Sequence, residues 1–145
     1  MRASENQFRS IIATASDAII SANAKGLIIL WNKGAQTIFG YTEAEIKGKP
    51  LESIIPKKYR DAHKKGVKRV LSGGERHAIG QVVELEGQRK NGEIFPLELS
   101  LSTWEGKDGQ NFSGIIRDIT ERKQTEEALK KANERMKSEL VIKQI

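Results

Sequence analysis

The chain has 145 residues, 37% hydrophobic and 30% charged, a formal net charge of +6 and no cysteine. That length suits one domain with a real core and one appendage, and the cysteine count excludes disulfides, thiol catalysis and cysteine-ligated metal or iron–sulfur sites. No apolar run approaches the roughly 20 residues that span a bilayer, and the polar opening Met1-Arg2-Ala3-Ser4-Glu5-Asn6 lacks the apolar stretch of a secretory signal, so a cytoplasmic location is expected.

Residues 5–15 read as a short amphipathic helix, with Phe8, Ile11, Ile12 and Ala15 at helical spacing, broken by Ser16-Asp17. Ala18 to Ala22 predicts a strand, Ala24-Lys25-Gly26 a tight turn, and Leu27 to Trp31 the returning strand of a hairpin. Asn32 suits an N-cap for a helix from Lys33 to Phe39, closed by Gly40. Thr42-Glu43-Ala44-Glu45 has the capping-box pattern and opens another short helix that stops near Gly48. Pro50 and Pro56 cut the next segment into short helical pieces, and a longer helix follows from about Lys57 to Leu71, ending at Ser72-Gly73-Gly74.

Three β runs come next: about Arg76 to Arg89, Glu93 to Trp104, and Asn111 to Ile119. Asn91-Gly92 is a strong hairpin signal between the first two, and Lys107-Asp108-Gly109 turns into the third. Leu97, Leu99 and Leu101 alternate with Glu98, Ser100 and Ser102, giving one buried and one wet face. The fold class expected is α+β, a five-stranded antiparallel sheet with helices on one face. The organisation expected is an N-terminal helix over 1–15, a core over 16–119 and a linker helix over 120–145.

The junction at Ile115-Ile116-Arg117-Asp118-Ile119-Thr120 passes from β to helical pattern with no Gly or Pro between. A rigid helix leaving the last strand offers movement in the sheet a mechanical route outward, which suits a signalling module. Along that helix Leu129, Ala132, Met136 and Leu140 form one thin apolar stripe, while Glu126–Lys130 and Glu127–Lys131 are i,i+4 pairs. A lone helix with so narrow a stripe is marginal in water. A parallel coiled-coil homodimer is therefore expected, with the N-terminal helix as a further candidate contact; the alternatives are a helix folded back on its own sheet or one frayed at a cut end. Val141, Ile142 and Ile145 end the chain on apolar residues, as expected of a segment from a longer protein.

The ordered set Asp17-Ala18-Ile19-Ile20, Gly26-Leu27-Ile28, Trp31-Asn32-Lys33-Gly34-Ala35, Phe39-Gly40-Tyr41, Arg89-Lys90-Asn91-Gly92-Glu93-Ile94-Phe95-Pro96 and Gly114 to Thr120 resembles the PAS domain over about residues 8–120. The resemblance implies a sensory module of a signal-transduction protein, such as a two-component histidine kinase, with a small ligand, redox state, light or partner read between sheet and helices. It implies no catalysis in this segment; the output domain would be the partner. The run Pro56, Tyr59-Arg60, His63, Arg69, His77, Ile79-Gly80 and Arg89 to Pro96 is similar to the haem-binding PAS domain of FixL-type oxygen sensors. By that likeness His63 would be the proximal ligand of haem iron, Arg69 and His77 would lie near the propionates, and Ile79, Leu97, Leu99 and Leu101 would line the pocket. FixL-type sensors carry an oxygen-responsive arginine on the first meander strand, where this chain has Val83, which donates no hydrogen bond to a bound diatomic. The light-sensing flavin subtype is excluded with its reactive cysteine.

Helical spacing puts Tyr59, Ala62, His63, Gly66, Val67 and Val70 on one face, with Arg60, Asp61, Lys64, Lys65 and Lys68 largely opposite, so His63 is expected to point inward. Two readings of it stay open: an axial ligand to haem iron, or a core histidine bonded to a backbone carbonyl or sheet hydroxyl. Trp31 and Trp104 suit core and sheet-surface places, and Glu84, Glu86 and Glu98 a wet strand face; no pair reads as general acid and base. The lysines and arginines near 57–69 form clusters rather than a stripe with interleaved aromatics, so they read as a solvated helix face and no nucleic-acid partner is expected. The rival to a ligand sensor is a cofactor-free PAS module that dimerises or binds other proteins.

Overall fold

The computed structural model describes residue 7 and residues 16–71, 81–107 and 109–144, with no side-chain description for 66–71 and 141–144. All of the N-terminal helix expected over 5–15 except Gln7, the Ser72-Gly73-Gly74 stop, the first meander residues before Gln81 and the side chains of Val141, Ile142 and Ile145 lie outside these.

Five strands form one antiparallel sheet: β1 (Ala18–Ala22), β2 (Ile28–Trp31), β3 (Val82–Gln88), β4 (Ile94–Gly106) and β5 (Gly109–Asp118), in spatial order β2-β1-β5-β4-β3. The hairpin and the meander join because β1 pairs with β5, Ile20 opposite Gly114. β4 and β5 run on to a turn at Gly106 and Gly109, past the expected ends. Gly109 has φ +117°, a conformation that other residues rarely adopt.

Between the two β segments lie α1 (Lys33–Phe39), α2 (Glu43–Ile46), 3₁₀ turns at Leu51–Ile54 and Lys57–Tyr59, and α3 (Arg60–Leu71). Asn32 caps α1 by accepting from the Ala35 amide, Gly40 ends it at φ +86°, and Thr42 and Glu45 complete the capping box of α2. The helix expected from Lys57 starts as a 3₁₀ turn and becomes α-helical at Arg60, whose guanidinium donates to the Ile55 carbonyl at 3.0 Å.

One face of the sheet carries Ala18, Ile20, Phe95, Leu97 and Ile116, and these bury against Ala35 and Phe39 of α1, Ile46 of α2 and Ile54 of the first 3₁₀ turn. Phe39 is fully buried and meets Phe95 at 5.4 Å and Trp31 at 5.6 Å between ring centroids; such aromatic pairs add about 0.5–1.5 kcal/mol each beyond the area they bury. The opposite face carries Glu84, Glu98, Ile115 and Trp104, the last donating to Ser113 Oγ at 2.8 Å. Trp31 is thus a core residue and Trp104 a sheet-surface one.

Helix α4 (Thr120–Gln144) leaves the end of β5 after the single residue Ile119, itself buried. From Gln124 to Leu140 every residue is exposed, and the stripe residues Leu129, Met136 and Leu140 are each about three-fifths accessible.

Candidate functional site

His63 sits on the first turn of α3, half-buried. Its neighbours on the expected inward face do not share its burial: Tyr59 is 41% exposed and Ala62 is exposed. The 3₁₀ start explains this for Tyr59, because three residues per turn rotate it away from the α-helical register; its hydroxyl reaches Glu86 on edge strand β3 at 2.8 Å. His63 Nδ1 is buried with no hydrogen-bond partner, and the group facing it is the Glu52 carboxylate at 3.7 Å, from the 3₁₀ turn. That separation is beyond hydrogen-bond length, so the attraction is electrostatic. Burial pushes the imidazole below its ordinary pKa, and the Glu52 carboxylate offsets this only in part. The ring is therefore neutral at pH 7. For Nδ1, the carbonyl or sheet-hydroxyl partner of a core histidine is not what the structure has.

The sheet wall follows from strand register. Leu97 stands opposite Leu85 on β3 and Asp118 on β5, Leu99 opposite Val83 and Ile116, and Leu101 opposite Gly114. Leu97 is buried at 5% exposure, while Leu99 and Leu101 are half-buried. Two glycines make room for them: a Cβ on Gly87 would lie 2.6 Å from Leu97 Cδ2, and one on Gly114 2.9 Å from Leu99 Cδ1. Both leucines are thus laid across backbone left bare of side chains. Of the other expected site residues, Arg69 belongs to α3 with its side chain outside the described residues, and His77 and Ile79 lie wholly outside them.

The junction below this wall is a built structure. Asp118 Oδ1 accepts from the Thr120 amide at 2.9 Å and from the Thr120 hydroxyl, capping the first turn of α4. Its Oδ2 accepts from Arg89 at 2.8 Å. Arg89 also donates to the Ile38 carbonyl near the end of α1 at 2.6 Å and lies 3.9 Å over the Phe95 ring. One guanidinium therefore joins α1, the aromatic core and the start of α4. Burial pushes the Asp118 carboxyl toward protonation, but the bonds from Thr120 and Arg89 outweigh it and hold the group below the usual carboxylate range. On the outer face Arg122 bridges Glu98 at 2.9 Å and Glu84 at 3.0 Å, and Lys123 adds Glu84 at 2.8 Å. These carboxylates sit on the wet strand face expected of them, but they hold the helix root. Sequence spacing could not reveal this, because the partners are 24 to 39 residues apart.

The profile of the PAS domain family matches residues 16–121. This chain belongs to the PAS domain family. The sensor protein FixL of Bradyrhizobium diazoefficiens is 32% identical over 141 residues, 97% of this chain and 27% of FixL. The cell-division control histidine kinase PdhS of Brucella ovis is 26% identical over 132 residues, 91% of this chain and 13% of PdhS. The PAS domain of a Colwellia psychrerythraea protein superposes with a TM-score of 0.68 at 26% identity, covering 81% of this chain and 98% of that domain. The PAS chain thus spans about a quarter or less of these two signalling relatives. Among its described residues, no helix is long and apolar enough to cross a membrane.

Proposed function

We propose that this PAS domain is the sensory segment of a longer signal-transduction protein, in which a small ligand held between His63 and the leucine wall alters the root of α4. The carrying observation is register: Leu97 of the wall pairs directly with Asp118, the residue that caps α4 and holds Arg89. A ligand that displaces the wall therefore acts on the strand segment that starts the output helix, a packed element suited to two discrete arrangements. The relatives FixL and PdhS, a sensor protein and a histidine kinase, support an output domain beyond the helix.

Haem is the ligand we infer. The fit rests on a shielded, neutral imidazole at His63, and on the aliphatic wall of Leu97, Leu99 and Leu101. His63 would hold the iron, and the leucines would cover the macrocycle. When bound, haem would supply an iron able to take a diatomic gas or to exchange electrons. Val83, opposite Leu99 in the register, keeps that part of the sheet apolar, so a gas ligand would find no hydrogen-bond donor from this position.

The purified protein titrated with hemin should develop a Soret band that is lost in His63→Ala while the far-ultraviolet circular dichroism stays unchanged. A wild-type protein that takes up no hemin would turn the reading to the second one, a cofactor-free PAS module that dimerises. That reading has its own support in the exposed stripe Leu129, Met136 and Leu140.

A further inference from the structure

The Glu52–His63 pair is not explained by the fold. Glu52 lies in the four-residue 3₁₀ turn after Pro50, and its side chain is only 20% exposed. A carboxylate this shielded is costly without a partner. His63 Nδ1 is the mirror case, a buried ring nitrogen with no hydrogen bond. The two face each other at 3.7 Å.

The chemistry of the two groups settles which proton state suits them. An ionised carboxylate only accepts hydrogen bonds, and a neutral imidazole has one N–H and one lone pair. A lone pair on Nδ1 would oppose the carboxylate, whereas an N–H there would be attracted to it. We infer that Glu52 is a positioning residue for His63: it holds the imidazole proton on Nδ1 and leaves Nε2 as the ring's donor atom. The inference builds on the haem reading by naming the atom that would meet the iron and the group that makes it more basic. An acceptor behind a metal-bound histidine commonly fixes tautomer and ring orientation in this way. Periodicity carries no trace of the pair, because the residues lie eleven apart in separate helical pieces.

Two measurements on the whole chain test it, one with no haem present. Long-range proton–nitrogen correlation spectra of the apoprotein should show His63 as the Nδ1–H tautomer. Glu52→Ala should abolish that preference, and Glu52→Gln, which keeps an acceptor oxygen, should retain much of it. With hemin added, Glu52→Ala should retain it about 10- to 100-fold more weakly. The iron–histidine stretching band of the reduced protein should fall in frequency, with Glu52→Gln between. A wild-type His63 in the Nε2–H form, or a tautomer, hemin affinity and band all indifferent to Glu52→Ala, would overturn the inference. A wild-type protein that binds no hemin yet shows a Glu52-dependent Nδ1–H tautomer would sustain the positioning role and remove the haem reading alone.

Discussion

Asn32 shows how much one small polar side chain does in this fold. It is only 6% exposed, and its Oδ1 accepts from the Ala35 amide at 2.9 Å and the Ile19 amide at 2.8 Å, while its Nδ2 donates to the Asp17 carbonyl at 3.0 Å. It therefore caps α1 and ties that helix to β1 at once. Asn32→Ala would strand these backbone groups in the interior, and a loss of about 2–4 kcal/mol in urea unfolding is expected; a change below about 1 kcal/mol would show that water replaces the bonds. The capping role was legible in the sequence because it spans three residues. The ties to Ile19 and Asp17 were not, since they cross 13 and 15 residues. Gly34 belongs to the same contact: a Cβ there would sit 2.2 Å from the Asp17 carbonyl oxygen, so a glycine inside a helix is required by a neighbour that helical pattern cannot show.

At the scale of elements, α4 is rooted and then free. Its root combines the Asp118 cap, Arg89, and the pairing of Arg122 and Lys123 with Glu84 and Glu98. Past the first turns nothing on the described sheet covers it. Asp118 makes the root sensitive to acid. Because its folded pKa is depressed, its contribution is fully present above the usual carboxylate value near 3.8 and is lost as pH falls through the lower folded value. Protection of the Thr120 to Lys123 amides, measured against their intrinsic exchange rates, should therefore fall below about pH 4 before the sheet core opens, and Asp118→Asn should show the lower protection at neutral pH. Exchange at the root that tracks the core at every pH would refute this. The start of α4 was visible in the sequence as a change of period. The clamp was not, because the outer-face carboxylates look like ordinary solvated residues until the topology brings them beside Arg122.

The whole molecule presents a packed α+β core with one long helix whose apolar stripe is uncovered. Leu129, Met136 and Leu140 are 61%, 60% and 58% exposed, and a single helix with such a stripe gains little from folding alone. A second copy of the chain, paired along α4 as a coiled coil, is the partner we propose. Sedimentation at micromolar concentrations should give a dimer, and replacing Leu129, Met136 and Leu140 together by Gln should give a monomer with intact β circular dichroism. A wild-type chain that sediments as a monomer would rule this pairing out.

By itself the sequence determined what depends on short spacing: five strands, the capped helices, the Asn91-Gly92 hairpin, the strand-to-helix junction and the inward alternation of Leu97, Leu99 and Leu101. Local geometry sets these, since periods of 2 and 3.6 and the needs of caps and turns are written within a few residues. Only the tertiary structure decided the joining of β1 to β5, the turn of Tyr59 away from His63, the seating of leucines over Gly87 and Gly114, and the meeting of Glu52 with His63. Each brings together groups whose attraction or exclusion acts through space, across a chain path that no local pattern records.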